Sequence, residues 1–397
     1  MKIYMLRAED NRYRDYIEAT GADSYCIDLL NNKIKAPVFY LKDIRIEAAN
    51  IIKQEALSVG GDVAIHRDVI SGSKKLSDAV MICNRSQIMK MAAKLKAQPF
   101  SLSAMMEKIT AILDNEAYWS VRGGNIISKP FIIMGILNVT PDSFYDGGKH
   151  SGADDVLRHT GKMIEEGADI IDIGGQSTRP GADNISIKEE LDRVLPALRA
   201  IRSKFPGIYI SVDTYRAEVA SAAGDAGADI INDISGFNFD KNMAETIARK
   251  EMSAVAMHIK GTPRDMQDNP QYDNLMFEIT DYLENSLKKA AESGMDIKSI
   301  AIDPGIGFGK TVDHNFEILS KIPVLKSLKR PVLIGASNKS YIGRYLGLEK
   351  DNRILPSAVS NTAAYLNGAR IFRVHNVKEN FLALKTVEKI ERCSVLH

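Results

Sequence analysis

The sequence predicts a (β/α)8 barrel preceded by a smaller α/β domain. From residue 131 onward, short apolar segments alternate with amphipathic ones, which is typical of parallel strands connected by helices. Eight such units occupy about 260 residues, the usual size of this barrel. The segment Gly167–Ile171 recurs as Gly227–Ile231 and, more weakly, as Gly368–Phe372. Each glycine suits a helix end that returns directly to a strand, so the repeat supports the alternating fold.

The composition is that of a globular protein and argues against several functional classes. Of 397 residues, 45% are hydrophobic and 26% are charged, and the net charge of +1 gives no broad nucleic-acid footprint. The segment Met1–Arg7 lacks a signal-peptide core, and no apolar run is long enough to span a bilayer. Cys26, Cys83 and Cys393 are too scattered for a disulfide framework. We therefore expect a cytoplasmic protein that binds neither nucleic acid nor membranes.

Residues 1–125 are less regular and are interpreted as a separate α/β domain of unknown function, joined near Arg122–Asn125 to a barrel at 126–397. The predicted strands are Lys2–Met5, Tyr25–Leu29, Asp62–Ile65 and Ala79–Cys83. One predicted helix carries Ile44, Ala48, Ile51, Ile52 and Ala56 at helical spacing, and a second covers Ser103–Leu113. The polar segment His66–Asp68 is interpreted as a surface turn.

Eight strands are predicted in the barrel: Phe131–Leu137, Asp169–Ile173, Ile208–Val212, Asp229–Asn232, Ser253–Met257, Ser299–Ile302, Pro331–Ile334 and Arg370–Val374. Active sites of such barrels lie at the carboxyl ends of the strands. The first strand runs into Asn138–Ser143, which places an amide, a hydroxyl and a carboxylate at that end. An ordinary Pro-Asp turn explains this segment equally well when it is considered alone.

The next four strands also end in polar or polarisable residues. Arg179 lies on a glycine-containing loop after the second strand, which indicates either anion contact or a solvated loop. Asp213 and Asn232 end the third and fourth strands, and together they suit a flat heterocycle with adjacent donors and acceptors. Helix capping is the alternative for Asp213. Met257 ends the fifth strand and either belongs to the core or packs on an aromatic ring, whereas His258 is interpreted as structural.

The last three strands add a glycine-rich loop and three cationic residues. Asp303–Lys310 matches neither the P-loop nor the dinucleotide pattern, so nucleotide binding is not predicted. Lys339 follows the seventh strand near a helix start, which suits an anionic ligand or polar ring atoms. Arg373 and His375 point the same way in a strand and are a candidate clamp for phosphate or diphosphate.

In their order and spacing, these motifs resemble dihydropteroate synthase over the whole barrel, from Phe131 to about Arg392. The matching segments are Met134–Phe144, Gly167–Gly181, Ser211–Thr214, Ile231–Gly236, Met257–Gln267, Asp303–Lys310, Ser337–Gly343 and Arg373–Val377. The resemblance implies a TIM barrel that joins 6-hydroxymethyl-7,8-dihydropterin diphosphate to p-aminobenzoate. The products would be 7,8-dihydropteroate and diphosphate. The N-terminal domain lies outside the resemblance.

The resemblance also implies a role for each matching residue. The pterin-binding positions are Asp213, Asn232, Ile234, Met257, Asp303 and Lys339. The diphosphate-binding positions are Asn138, Arg373 and His375, with a Mg2+ ion held near Asn138. The p-aminobenzoate-binding positions are Thr178, Arg179, Pro180, Phe308 and Ser340, where sulfonamides would compete. Catalysis is assigned to Asp303, Lys339, Arg373, His375 and Asp213. Family members are commonly dimers through the late helices of the barrel, so a homodimer is implied.

The chain departs from the family pattern at Asn338, where many members have arginine, and at Tyr341, where phenylalanine is common. The first change removes a cationic contact near the p-aminobenzoate entrance, which Arg344 or Arg179 can replace. Two alternative functions are a corrinoid-linked pterin methyltransferase and a binding protein without turnover. The residues assigned to diphosphate disfavour the methyltransferase, and the intact polar set disfavours the binding protein.

Overall fold

The computed structural model describes residues 36–393, apart from 70–71, 73–74, 115–117, 122–123, 127–128, 140–150 and 177–184. The described residues form two compact units. One unit is drawn from Met1–Asn115 and Lys389–His397, and the other from Glu116–Glu388. The strands predicted at Lys2–Met5 and Tyr25–Leu29 lie outside the described residues. Within the described part of the chain, no helix is long and apolar enough to cross a membrane.

The N-terminal unit contains a three-stranded antiparallel sheet of order β1-β3-β2. Its strands are β1 (Val38–Arg45), β2 (Asp62–Ile65) and β3 (Leu76–Ile82). Its helices are α1 (Ile46–Ser58), α2 (Arg85–Leu95) and α3 (Leu102–Leu113), with a 3-10 turn at Arg67–Val69. Ile52, Met81, Met91 and Leu102 are among the buried side chains of the core that the sheet and helices share.

Two elements of this unit differ from the sequence predictions. β1 was not predicted, and placing Ile44 in a helix was wrong, because Ile44 pairs with Ser77 in the sheet. Helix α2 was also not predicted. It begins with a capping box, in which the Asn84 side chain accepts from the backbone N–H of Gln87 and the Gln87 side chain accepts from that of Asn84.

The C-terminal unit is a barrel of eight parallel strands, which confirms the predicted fold class. The barrel strands are β6 (Ile132–Asn138), β7 (Ile170–Gly174), β8 (Tyr209–Asp213), β9 (Ile230–Asp233), β10 (Ser253–Met257), β11 (Ile300–Asp303), β12 (Leu333–Ile334) and β13 (Ile371–Val374). Each strand pairs with its sequence neighbour from β6 to β11, and β13 pairs with both β12 and β6. A parallel bridge between Ile302 and Val332 closes the ring.

Helices follow the strands as the alternating pattern predicted. They are α4 (Ser151–Glu165), α5 (Ile187–Lys204), α6 (Ala217–Asp225), α7 (Met243–Arg249), α8 (Leu275–Glu292), α9 (Val312–Lys321), α10 (Ser340–Leu346), α11 (Ile354–Leu366) and α12 (Val377–Cys393). Short 3-10 segments occupy Ile297–Ser299, Ile322–Leu328 and Lys350–Arg353. The residues Ile171 and Ile173 belong to the large core that the strands share with these helices.

The inside of the barrel changes from apolar to polar along its axis. Ile170, Ile230, Val255 and Leu333 belong to a separate buried cluster, distinct from the core that faces the helices. Successive strand residues point to opposite faces, so Asp172 shares the inner face with Ile170. The carboxyl ends of the strands therefore carry the buried polar side chains, and a ligand site is built there.

A short hairpin, β4 (Ser120–Val121) and β5 (Gly124–Asn125), belongs to the barrel unit. Trp119 beside it is fully buried and donates its indole N–H to the carbonyl of Ser299 over 2.9 Å. Ser253 Oγ donates to the Ser120 carbonyl over 2.7 Å. The division between the units consequently falls before Glu116, earlier than the predicted boundary at residue 125.

Replacing Trp119 with alanine is expected to lower the free energy of unfolding by about 3–5 kcal/mol, the usual cost of removing a buried tryptophan. Trp119 is the one tryptophan in the sequence, so denaturation should be followed by circular dichroism rather than fluorescence. The matched variant Trp119→Phe keeps a ring but loses the indole bond, and should lose less. Equal stability of Trp119→Ala and the parent would contradict the hairpin's role in the barrel.

Candidate active site

Arg373 lies at the centre of the polar end of the barrel. Its Nε donates to Asp172 Oδ2 over 2.6 Å, and its Nη2 donates to Asp213 Oδ2 over 2.6 Å. The two carboxylates come from the adjacent strands β7 and β8, while Arg373 comes from β13. One cation therefore holds two carboxylates that would otherwise repel one another.

Asp172 is a buried carboxylate at this end of the barrel that was not predicted as a site residue from the sequence. Its side chain is fully buried, and Oδ2 also accepts from Asn232 Nδ2 over 3.4 Å. Alternation along β7 could have found it, because Ile171 and Ile173 face the helices and so place Asp172 inside the barrel. The sequence motif drew attention instead to the loop that follows.

Asp303 and Lys339 come together beside the glycine-rich loop. Asp303 Oδ1 accepts the Gly305 N–H over 2.7 Å, and the Lys339 ammonium lies 4.1 Å from the centroid of the Phe308 ring. A Cβ at Gly307 would lie only 3.2 Å from Lys339 Cδ, so the glycine leaves room for the lysine stem. Lys339 occupies the N-cap position of α10, as predicted for a lysine near a helix start.

An apolar wall flanks these polar groups. Ile234, Met257, Ile259, Met266 and Phe308 form one buried cluster, with Tyr215 packed against it. Three of these residues, Ile234, Met257 and Phe308, were predicted to contact substrates. A flat ring with polar edges could lie against this wall while its edges meet the carboxylates and the amide.

The remaining predicted positions are more peripheral. Asn138 ends β6 with an exposed side chain, and its Oδ1 would lie 3.6 Å from a Cβ added at Gly174. Asp213 Oδ2 would lie 4.0 Å from the same point, so both oxygens border one small volume. His375 Nδ1 lies 3.2 Å from Ser337 Oγ, and Ser340 is exposed on α10. Thr178, Arg179 and Pro180, and the segment Thr140–Ser143, lie outside the described residues.

Asn338, which departs from the family pattern, adopts a left-handed conformation with φ of 56°. Its Nδ2 donates to Asn376 Oδ1 over 3.3 Å, and its backbone N–H donates to Ser357 Oγ over 2.9 Å. Asparagine tolerates this region of φ better than most residues. The side chain is thus engaged with the segment after β13, and Arg344 is exposed on α10.

Burial shapes the ionisation of the two predicted pterin carboxylates. It raises the pKa of Asp303 to about 6, against the opposing effects of the Gly305 N–H and Lys339. It also raises the pKa of Asp213, although Arg373 favours the ionised form. Ionised carboxylates in such surroundings lose stabilisation from water, which leaves them available to a ligand that brings N–H donors or positive charge.

A second buried pair, Lys310 and His258, contacts the glycine-rich loop. Lys310 Nζ lies 2.8 Å from His258 Nδ1 and donates to the Phe308 carbonyl over 2.9 Å. Burial lowers the pKa of His258 well below its usual value, and the nearby Lys310 lowers it further. Burial also lowers the pKa of Lys310, so the histidine is an uncharged member of a buried pair, which agrees with the structural role predicted for it.

Comparison with known proteins identifies the family to which the chain belongs. Residues 134–375 match the family described as pterin binding enzyme. The chain is 41% identical over 262 residues to the dihydropteroate synthase of Escherichia coli, covering 66% of this chain and 92% of that protein. The chain belongs to the dihydropteroate synthase family of pterin-binding enzymes. It is accordingly a transferase of folate synthesis, and the sequence prediction is confirmed.

Two further relatives support this family assignment. The dihydropteroate synthase of Yersinia pestis, solved in complex with a sulfonamide drug, superimposes with a TM-score of 0.65 at 38% identity, covering 69% of this chain and 99% of that one. A probable bifunctional folylpolyglutamate synthase/dihydropteroate synthase of Halobacterium salinarum is 37% identical over 345 residues. That match covers 87% of this chain and 42% of the relative, so it extends beyond the barrel unit.

Proposed function

We propose that the polar end of the barrel joins 6-hydroxymethyl-7,8-dihydropterin diphosphate to p-aminobenzoate, forming 7,8-dihydropteroate and diphosphate. The observation that carries this assignment of roles is the shared guanidinium of Arg373. This cation donates to the buried carboxylate of Asp172 and to Asp213, the carboxylate that suits a pterin ring. Family membership supports the reaction, and the geometry supports the roles that we propose for the residues.

The pterin ring lies against the wall formed by Ile234, Met257 and Phe308. Its N–H groups donate to Asp213 and Asp303, and Asn232 provides both a donor and an acceptor. Lys339, which lies beside the glycine-rich loop, donates to an acceptor atom of the ring. These contacts orient the ring so that its methylene carbon faces the diphosphate-binding residues.

Diphosphate departs as the bond between the methylene carbon and the diphosphate oxygen breaks, and it keeps the bonding electrons. Arg373 and His375 meet the negative charge that develops on it. The methylene carbon becomes electron-poor, and the carboxylates of Asp213 and Asp303 stabilise the cationic ring. The amine of p-aminobenzoate then forms the new C–N bond with its lone pair and afterwards loses a proton to solvent. A neutral arylamine is a sufficient nucleophile, so no strong general base is needed.

The p-aminobenzoate lies on the side of Phe308 and Ser340, and the resemblance also assigns Thr178, Arg179 and Pro180, which lie outside the described residues, to this substrate. A cationic residue on this loop suits the carboxylate of the arylamine. A sulfonamide has the same shape and an arylamine of its own, so we propose that it competes here. The relative from Yersinia pestis solved with a sulfonamide drug supports this proposal.

Mg2+ fits the donor groups near the diphosphate. This ion prefers oxygen ligands and is usually held by one or two protein groups together with substrate phosphates. Asn138 offers an exposed amide oxygen, and Asp213 Oδ2 borders the same volume. Among the described residues, no group of three or more His, Cys, Asp or Glu side chains could hold a metal. Asn138 would therefore hold Mg2+ jointly with the diphosphate, whose negative charge the ion would offset.

The reaction is tested by measuring diphosphate release with a panel of arylamines, with and without Mg2+. We expect release only when an arylamine is present, and fastest release with p-aminobenzoate. Pteroate formed in the same reaction should equal diphosphate released. Release without an arylamine would indicate simple hydrolysis, and tight pterin binding without release would indicate a binding protein.

Asn138→Ala is expected to raise the KM for the pterin diphosphate by about 10- to 100-fold, the usual cost of removing a metal-site contact. The control is the affinity for 6-hydroxymethylpterin, which lacks the diphosphate and should bind the variant and parent equally. A chelator should lower the rate of the parent more than that of the variant. An unchanged KM would remove Asn138 from the diphosphate site.

We also propose that the enzyme is a cytoplasmic homodimer. The late helices carry exposed apolar side chains, including Tyr345 on α10, Leu355 and Val359 on α11, and Leu382 on α12. Leu355 is 73% exposed, and it is the recurrence of such side chains on three late helices that favours an interface there. Sedimentation of the purified protein tests the dimer, and Leu355→Glu should shift it toward the monomer.

A further inference from the structure

We propose that Asp172 is a positioning residue that leaves Asp213 free to bind the pterin, by serving as the permanent counterion of Arg373. The proposal rests on the function proposed above and adds a residue to it. Asp172 is completely buried on the inner face of β7, so it lies below the substrate rather than against it. It acts through Arg373 and does not touch the reacting atoms.

The bonding pattern of the guanidinium is the first reason. Asp172 accepts from Nε, the nitrogen closest to the side-chain stem, whereas Asp213 accepts from the terminal Nη2. A bond at Nε fixes the plane of the group at its base. The bond from Nη2 to Asp213 can break through a small movement of the outer end of the guanidinium, which frees Asp213 to accept from another donor. Asp172 therefore keeps its partner while Asp213 changes partner.

The second reason is the balance of charge. Arg373 and Asp213 alone would form a neutral buried pair, and separating them to admit a pterin would leave a buried cation uncompensated. With Asp172 in place, Arg373 remains paired when Asp213 turns to the pterin. The charges facing this pair are Asp303 on β11 and Lys339 before α10, and Glu190 on α5 adds a further carboxylate.

The third reason is the connection to Asn232. Asp172 Oδ2 accepts from Asn232 Nδ2 over 3.4 Å, and the neighbouring strands place Asn232 beside Asp213 in register. One buried carboxylate oxygen thus contacts two residues assigned to substrate. Asp172 sets which way the Asn232 amide faces, with its oxygen directed away from the carboxylate and toward the ligand.

The test measures binding of 6-hydroxymethylpterin, which needs Asp213 but has no diphosphate and requires no turnover. Asp172→Asn keeps the shape and an acceptor oxygen but loses the charge. Arg373 should then hold Asp213 more tightly, and the dissociation constant for 6-hydroxymethylpterin should rise at least tenfold. The double variant Asp172→Asn with Arg373→Met has the parent's net charge and no arginine to occupy Asp213. It should recover most of the lost affinity.

A matched control is available at the opposite end of the barrel. Asp229 is also buried and accepts from Arg202 Nη2 over 2.6 Å, the same distance as in the Asp172 pair. Asp229→Asn should lower thermal stability but leave the affinity for 6-hydroxymethylpterin unchanged. A purely structural role for Asp172 would produce the same result as this control, with no rescue by the second substitution.

Parent-like binding by Asp172→Asn, or failure of the double variant to regain affinity, would overturn the proposal. If Asp172→Asn does not fold, the comparison is made between Arg373→Met and the double variant. Equal affinity of these two supports action through Arg373, whereas weaker binding by the double variant overturns it. Failure of the proposed function is recognised separately, because the parent itself would then release no diphosphate.

Discussion

Lys339→Ala is expected to lower kcat/KM by about 30- to 5,000-fold, corresponding to about 2–5 kcal/mol for loss of a charged partner in a buried contact. The ammonium lies over Phe308 and beside Asp303, where its charge favours the ionised carboxylate. The variant loses both the ring contact and this electrostatic support. Lys339→Met keeps most of the apolar stem and should be nearly as impaired, since the charge carries the effect.

Lys260 provides a control for this substitution. Its ammonium lies 4.1 Å from the centroid of the Tyr272 ring, the same distance as in the Lys339 contact with Phe308. Lys260 also pairs with Glu278 at the surface, and no substrate role is assigned to it. Lys260→Met should retain near-parental turnover. Similar losses in the two variants would show that the effect comes from packing of the loops and not from substrate binding.

Asp303→Asn is expected to abolish most turnover and yet to stabilise the protein in the absence of substrate. Removing the carboxylate takes away the charge that supports the cationic pterin, at a cost of about a hundred- to a thousandfold in kcat. The Gly305 N–H still finds an acceptor in the asparagine side chain, so the loop keeps its anchor. The rate is measured by diphosphate release, and stability by denaturant unfolding.

The stabilisation follows from the raised pKa of Asp303, about 6 against an ordinary value of 3.8. The folded protein holds this proton more tightly than the unfolded chain does. The protonated Asp303 carboxyl therefore contributes fully to the stability of the folded protein below pH about 4, and this contribution is lost as the pH rises through about 6. Asparagine has no charge to bury, so the variant should be more stable at pH 8 by about 3 kcal/mol. Equal stability at pH 8, with a difference only at pH 4, would contradict this assignment.

The raised pKa values of Asp303 and Asp213 predict the acid limb of the parent's activity. Since the ionised carboxylates are the forms that support the pterin, kcat/KM should begin to fall as the pH drops below about 7 and should fall further below about 6. Asp229→Asn changes a buried carboxylate far from the substrate and should leave that limb in place. An acid limb that is present in the parent and persists in Asp229→Asn would arise from carboxylates at the substrate site and not from buried carboxylates in general.

The sequence predicted the barrel well because its signals are local. Strand β10 was predicted with its observed ends, and the other barrel strands differ by a residue or two. Apolar strands buried on both sides and glycines at helix ends carry this information directly. Strand β1 was missed because its stability comes from pairing with β3, which is distant in sequence. Ile44 has a spacing that fits a helix, and only the sheet decides otherwise.

For the site, the sequence predicted the residues at the strand ends but not the network beneath them. Asp213 and Arg373 were both named, yet their contact joins residues far apart in the chain. Asp172 lies between two isoleucines, and this local sequence is typical of the middle of an ordinary strand. Its importance depends on the side chain opposite it in the closed barrel. Lys310 was visible as part of a glycine-rich motif, but its burial against His258 requires the fold.

The packing of Gly305 and Gly309 also bears on how this enzyme can change under selection. Both glycines have positive φ, and a Cβ on either would overlap the backbone carbonyl of His258 or Lys260. A single substitution there forces two loops to move at once, and Asp303 moves with them. Heritable changes in arylamine preference or inhibitor tolerance should therefore arise elsewhere around the rim, and a deep mutational scan should find this loop almost invariant.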